Sequence, residues 1–420
     1  MTPRRVHVIG AGLAGLSAAT ALAERGIPVV IHEAAKWAGG RCRSYFDTAL
    51  GCRIDNGNHL LLSGNVAAMR YLARIGAADT LVGPDRPVFP FIDLIAGTAW
   101  TLRLNHGRLP WWILVKPWRV PGTRARDYLA LRRLERACDN DIVATLLGDL
   151  DPLYPRLLEP LAIAALNTKP EIASAAPLGA VVRESLARGG SASMPRMPAT
   201  GLSESFIDPA VAWLGERGAT LRLGARIAAL AIANGQVTGL LGPNVDEIVA
   251  PGEAVVLATP PWVAADLLPG LTVPDQFEAI LNLHFRAGID AGPAGFYGLL
   301  GGAAEWAFEK REVVSVTISA ANDRLATPTE SLVAEVWSDL RRAFGLPLTL
   351  PAWRVVKEKR ATFAATPAQL ARRPGPRTPL GNLVLAGDYT ATGLPATIEG
   401  AIRSGATAAS LLGEAGANAA

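Results

Sequence analysis

Gly10, Gly12 and Gly15, spaced G-x-G-x-x-G between a short apolar run and an alanine-rich one, are the residues best placed to do chemistry in this chain. Gly10 permits a sharp turn out of a strand, Gly12 lets a pyrophosphate approach the backbone, and Gly15 lets a helix pack closely on the strand. The free N–H groups that open such a helix act as roughly half a positive charge, so they hold phosphate without a basic side chain. Glu33, at the end of the next apolar run, is positioned to accept hydrogen bonds from ribose hydroxyls. Gly39-Gly40-Arg41 then offers more backbone amides and a forked guanidinium, a second loop suited to phosphate. Together these residues predict a dinucleotide site.

The elements that must position them follow from the hydrophobic pattern. Residues 6–9 read as a buried parallel strand, and Leu13, Leu16, Ala19 and Ala23 recur at helical spacing until Gly26. Residues 29–31 read as the second strand. Residues 54–59 form a polar turn, and Leu60-Leu61-Leu62 reads equally as a strand or a helix start. The stretch 61–195 is rich in Pro, Trp and Arg, with a helical stretch expected over 124–147. From 196 to 265 the α/β pattern returns: a helix over 206–215, strands over 220–223 and 226–233, an Asn234-Gly235 turn, and a buried strand from Ala254 stopped by Pro260-Pro261. We therefore expect two interleaved domains, one built from 1–60, 196–265 and 371–420, the other from 61–195 and 266–370. The small, polar tail after Leu412 is expected to be disordered.

Composition narrows the function classes. A chain of 420 residues, half of them hydrophobic, can bury a large core and suggests two or three domains. Its 41 Lys and Arg against 37 Asp and Glu leave a net charge of +4, and the cations read as scattered among acids, so no nucleic-acid partner is expected. Cys42, Cys52 and Cys138 are an odd set with no C-x-x-C pair, which reads as free thiols in a reducing cytoplasm. The five histidines fall in no metal-ligand spacing, so no metal is expected. Arg4-Arg5 before an alanine-rich run has the look of a secretory leader, but the glycine pattern accounts for the same residues. With no uninterrupted apolar window near 18 residues, no spanning helix is expected and any membrane contact would be peripheral, at the inner face of the plasma membrane.

The glycine turn, Glu33, Gly39-Gly40-Arg41 and, near the other end, Asn382-Leu-Val-Leu-Ala-Gly-Asp-Tyr389 resemble the flavin-dependent amine oxidase and carotenoid desaturase superfamily. That resemblance implies an α/β fold: a Rossmann-like FAD-binding domain of the amine oxidase type, interleaved with an α+β substrate-binding domain. It implies FAD as the cofactor. Asp388 would meet the ribityl chain, backbone near Ile227 the adenine, and the helix beginning near Thr397 would point at the flavin ring. The cofactor set it suggests is Gly10, Gly12, Leu13, Ala14, Gly15, Glu33, Gly39, Gly40, Arg41, Gly57, Asn58, Ile227, Gly387, Asp388, Pro395, Thr397 and Ile398.

Further blocks narrow the resemblance to the hydroxysqualene dehydroxylase family of bacterial hopanoid synthesis. They include Ile54-Asp-Asn-Gly-Asn-His59, Arg108-Leu-Pro-Trp-Trp112, Glu159-Pro-Leu161, Ala165-Leu-Asn-Thr168 and Gly387-Asp-Tyr-Thr-Ala-Thr-Gly393. The implied reaction replaces the hydroxyl of a long isoprenoid alcohol by hydride from reduced FAD. Such chemistry needs an acid to protonate the departing hydroxyl, and Glu159, Asp93 and His59 are the candidates, although a purely structural use is the stronger reading of each. Asn167 and Thr168 are candidates to hydrogen-bond the hydroxyl, and Trp111 and Trp112 to face an allylic cation or to edge a membrane. The apolar partner would occupy a long apolar tunnel opening toward the bilayer, with 109–118 as a candidate contact. Nothing in the residues identifies the electron donor. A desaturase or oxidase of a carotenoid precursor, and a carrier of prenyl lipids without flavin, are the competing readings; the intact Gly39-Gly40-Arg41 and Gly387-Asp388 motifs argue against the carrier.

Overall fold

A computed structural model describes residues 2–414 and folds them around two principal sheets. The first is five-stranded and parallel, ordered Thr220–Leu223, Val29–Glu33, Val6–Ile9, Ala254–Leu257, Leu383–Leu385. Its central strands are buried along their whole length, as strands covered on both faces must be. Segments from both ends and the middle of the chain supply it.

One face of this sheet carries the helices Leu13–Ala23, Asp208–Gly215 and Ile398–Glu414, which share a core that includes Leu16, Leu22, Leu214 and Ile402. The first and last helices touch backbone to backbone: a Cβ at Gly405 would overlap the Ala14 carbonyl, and Ser17 Oγ donates to the Ile402 carbonyl at 2.7 Å. The other face carries helix Pro261–Leu267 and a three-stranded antiparallel sheet, Ala229–Ala233, Gln236–Gly242 and Val245–Ile248. The first two of those strands turn at Asn234-Gly235, both with positive φ, as a tight hairpin requires.

The second sheet has seven strands, ordered Trp353–Phe363, Phe277–Phe285, Val313–Ile318, Trp306–Lys310, Phe296–Leu300, Val88–Asp93, Thr98–Arg103. Alternation along it separates two environments. Leu281, Leu283, Phe285, Val314 and Val316 pack under the amphipathic helix Thr329–Phe344. On the opposite face Phe296, Trp306 and Phe308 meet short helices drawn from residues 111–188, in a core that includes Trp112, Tyr128, Leu158 and Leu166. The same face carries a buried polar stripe, Asn282, His284, Ser315 and Thr317.

The structure departs from the sequence pattern in several places. The expected helical stretch over 124–147 is three short helices, Ala125–Ala130, Leu131–Glu135 and Val143–Leu147, because Asp141 Oδ2 takes the Cys138 N–H into a turn. The helix expected over 206–215 starts earlier, with a wide-turn segment Ser203–Ile207 ahead of Asp208–Gly215, where Pro209 has no N–H to give. Leu61–Leu62 is a strand, paired with Pro195–Pro198, so this small sheet bridges the expected boundaries near 60 and 195. Helix Val66–Arg74 packs on the parallel-sheet side: Tyr71 donates to the Phe206 carbonyl, and Glu399 accepts the Ala67 and Ala68 N–H groups that its first turn leaves free. The last helix runs to Glu414, past Leu412; the rest of the tail lies outside the described residues. Among the described residues no helix is long and apolar enough to cross a membrane.

Candidate functional site

Gly10 has φ of +106°, and a Cβ there would sit 2.6 Å from the Ala258 carbonyl oxygen. A Cβ on Gly15 would overlap the Gly10 carbonyl. Both glycines are therefore required by the protein itself. Gly12 differs: a Cβ there would meet nothing within 4 Å. It lies at the start of helix Leu13–Ala23, which has no side-chain cap and no acid in its first turn. Free N–H groups at such a helix start suit a phosphate-bearing ligand.

Glu33 fastens the turn. Its Oε2 accepts the Ala11 N–H and its Oε1 the Ala35 N–H, both at 2.8 Å, leaving each oxygen a further acceptor position. The Ala225 N–H donates to the Glu33 carbonyl at 2.8 Å, which brings Ile227 alongside, buried beneath the first sheet. Gly39 N–H donates to the Ala11 carbonyl at 2.8 Å, and a Cβ added at Gly40 would stand 3.7 Å from the Gly12 Cα. The two glycine turns thus lean together at the carboxyl ends of the inner parallel strands Val6–Ile9 and Val29–Glu33.

Arg41 is not a free phosphate-binding cation, as the sequence alone had led us to expect. Its Nη1 donates to the Ala361 carbonyl, and its Nη2 lies 2.8 Å from both carboxylate oxygens of Asp388. Asp388 stands directly after Gly387, whose N–H donates to Ser404 Oγ at 2.8 Å. Tyr389 turns away into the core with Ile9, Leu257 and Leu385. Thr397 Oγ1 accepts the Gly400 N–H at 3.1 Å and so caps the last helix, with Pro395 just ahead and Ile398 its first residue.

Arg373 gave no signal in the sequence. Its guanidinium donates to the carbonyls of Asp388, Tyr389, Thr390 and Leu394 and to Thr392 Oγ1, and lies 5.0 Å from the Phe363 ring centroid. Burial lowers its pKa to about 10, and Asp388 opposes that shift. One side chain thereby shapes the whole loop after Asp388.

The 54–59 turn is held by the second sheet. Asn58 Nδ2 donates to Thr317 Oγ1 at 3.1 Å, and its N–H to Asn282 Oδ1 at 3.4 Å. Asp55 is buried and accepts from Ser44 Oγ, the Leu202 N–H and Lys310. His59 sits among Asp55, Lys310 and Arg41, and burial drops its pKa to about 4, so it is a neutral imidazole at pH 7.

The remaining candidates scatter. Asn167, at a left-handed φ of 47°, donates from Nδ2 to Thr362 Oγ1 at 2.9 Å and accepts the Ala320 N–H at 2.7 Å on Oδ1. Thr168 donates to the Leu166 carbonyl and accepts the Ala365 N–H. Both side chains are spent on tying strand ends together. Asp93 Oδ1 accepts the Ile95 and Ala96 N–H groups and caps a hairpin. Trp111 is exposed against Trp118, whereas Trp112 is buried edge-on to Tyr128, so the two face different surroundings. Glu159, half-buried, has its pKa raised by burial and by Glu171. Sequence reading passed over Glu305, whose Oε2 accepts the Ser319 N–H at 2.8 Å and whose pKa burial pushes up to about 7.

The chain matches the family model for flavin containing amine oxidoreductase over residues 13–291 and 299–412. It is 49% identical over 414 residues to hydroxysqualene dehydroxylase of Rhodopseudomonas palustris, covering 98% of this chain and 99% of that protein. It is 45% identical over 405 residues to the Zymomonas mobilis protein of the same name, covering 96% and 98%. Similarity to a probable zeta-carotene desaturase of Synechococcus elongatus is lower, 25% over 486 residues, covering 99% and 100%. Among solved structures, an oxidoreductase from Methanosarcina mazei superposes with a TM-score of 0.73 at 15% identity, covering 96% of this chain and 99% of that one. Cyclohexylamine oxidase from Brevibacterium oxydans superposes with a TM-score of 0.71 at 17% identity, covering 98% and 99%. At such identities these two speak for the fold alone.

Proposed function

The chain belongs to the flavin-containing amine oxidoreductases and, within them, to the hydroxysqualene dehydroxylase family, and from that premise we propose that it converts hydroxysqualene to squalene. It is an FAD-dependent oxidoreductase. The observation that carries the reading is the near full-length identity of 49%; beside it, the turn at Gly12 has no described atom within 4 Å of where a Cβ would stand, which suits a pyrophosphate.

The residues present fit FAD. The Leu13, Ala14 and Gly15 N–H groups and the open face of Gly12 would take the pyrophosphate, Glu33 a ribose, Ile227 backbone the adenine, and Asp388, braced by Arg41, the ribityl hydroxyls. Gly39, Gly40, Gly57, Asn58, Pro395, Thr397 and Ile398 would line the rest of the cofactor's path. When bound and reduced, FAD supplies a hydride.

The protein must supply the rest. The hydroxyl leaves as water, so one proton must reach its oxygen, and the carbon it leaves must be kept dry until hydride arrives. A buried carboxylic acid that keeps its proton near neutrality suits the first task. Glu305, whose pKa is pushed up to about 7, has that property, and burial and Glu171 raise the pKa of Glu159 in the same direction; His59 is neutral at pH 7, and the Asp93 carboxylate is occupied by the Ile95 and Ala96 amides. The second task calls for an apolar lining around the substrate, since water near the cation would capture it before hydride does. Each CH₂ buried contributes about 0.8 kcal/mol, which also holds such a substrate in the bilayer. Peripheral contact with the inner face of the plasma membrane is part of this proposal, as is a place in hopanoid synthesis.

The test is an anaerobic single turnover. Protein with its flavin reduced, mixed with hydroxysqualene in detergent, should yield squalene while the oxidised flavin spectrum returns in equal amount. Conversion only when the flavin starts oxidised would assign a desaturase instead.

A further inference from the structure

The chain's net positive charge is concentrated in one segment. Residues 108–136 hold eight Lys and Arg against two Asp and Glu, a net +6, whereas the whole chain carries +4, so all other residues together carry −2. The expectation of cations scattered among acids therefore fails here. Four cations, Arg126, Arg132, Arg133 and Arg136, and one acid, Asp127, line an open hollow of about 520 Å³ with Leu129 and Leu150. Only Arg126 and Arg133 of the segment's cations have an acidic neighbour, Asp127 and Asp149, among the described residues.

The same segment exposes its largest apolar side chains. Leu109 is 80% exposed, Trp111 51%, Leu114 74% and Leu129 55%. Trp111 and Trp118 lie together with ring centroids 5.2 Å apart. Beneath them Trp112 and Tyr128 anchor the segment in the apolar core of the second sheet. Exposed apolar and tryptophan side chains within a segment of net charge +6 complement a surface that is hydrocarbon inside and anionic outside.

We propose that residues 108–136 are an anionic-bilayer docking surface, with Leu109, Trp111 and Leu114 entering the interface and the hollow of Arg126, Arg132 and Arg136 taking lipid phosphates. The proposal extends the reading of an apolar substrate drawn from a membrane, but it stands on charge and exposure alone. A nucleic acid would use the arginines and leave the apolar tips without a role.

Sedimentation of the FAD-loaded full chain with vesicles tests it. Vesicles of phosphatidylcholine with about one-third phosphatidylglycerol should bind at least tenfold more tightly than phosphatidylcholine alone, and about 0.5 M salt should remove that preference. Each lost charge is worth about fivefold, so R132Q/R136Q should weaken binding roughly 25-fold. L114E should weaken binding to both kinds of vesicle. Both variants should keep the flavin spectrum and wild-type turnover of detergent-dissolved hydroxysqualene. Equal binding to neutral and anionic vesicles, binding untouched by either variant, or displacement of vesicles by duplex DNA would overturn the proposal. A protein that turns over hydroxysqualene yet ignores anionic vesicles refutes the docking surface only; one that binds them without turnover refutes the reaction only.

Discussion

Arg41 and Asp388, 347 residues apart, form a two-oxygen ion pair that joins the turn after Glu33 to the loop after the last strand of the parallel sheet. Pairing fixes the direction of both side chains before a ligand arrives, so the carboxylate is presented instead of free to rotate. D388N should weaken FAD binding by about 10- to 100-fold, since a hydrogen bond to a charged group contributes roughly 1.5–3 kcal/mol and Arg41 is left without its acid. Fluorescence titration of the apoprotein with FAD measures this, and wild-type affinity in D388N would refute the role.

Gly12 and Gly15 should behave in opposite ways. Gly15 lies against the Gly10 carbonyl, so G15V should lower the melting temperature of the flavin-free protein sharply. Gly12 faces open space, so G12L should melt with the wild-type apoprotein yet retain no flavin. Thermal melts with and without added FAD separate the two.

Arg373 holds one loop by five acceptors, and lysine cannot reproduce that fork. R373K is expected to lose flavin faster on dilution than wild type while keeping the same far-ultraviolet circular dichroism. Equal off-rates would remove Arg373 from the site.

Stability should fall in mild acid. Burial lowers the pKa of His32 and of His284 from 6.5 to about 4. A depressed histidine pKa means the unfolded chain binds protons first, so stability is full above pH 6.5 and drains as pH falls toward 4. Each site contributes up to about 3 kcal/mol to that loss. Urea midpoints between pH 7 and 4 should show the slope, and H284Q should flatten it.

The proton donor should announce itself in the pH–rate profile. Glu305 is protonated below about pH 7, so single-turnover rates should decline above that value. E305Q should lose roughly 10²- to 10⁴-fold in rate with its flavin spectrum intact. If E305Q keeps the wild-type rate and E159Q loses it, Glu159 is the donor.

Much of the architecture could be read from neighbouring residues, because a strand, a turn and a helix impose their demands locally. The apolar run 6–9, the positive φ that Gly10 adopts and the helical spacing from Leu13 to Ala23 are all legible within one stretch of chain. The flavin motifs at both ends were legible for the same reason, and their wording carried the family. The partners of side chains were not. Asn167 reads as a ligand for a hydroxyl, yet Thr362 and the Ala320 amide claim it, and Arg41 reads as free, yet Asp388 meets it. Arg373, Glu305 and the arginine hollow acquire meaning only from what folds against them. Backbone conformation is paid for residue by residue and leaves its mark in sequence order; burial, charge pairing and pKa depend on distances between segments that only packing of the two sheets brings together.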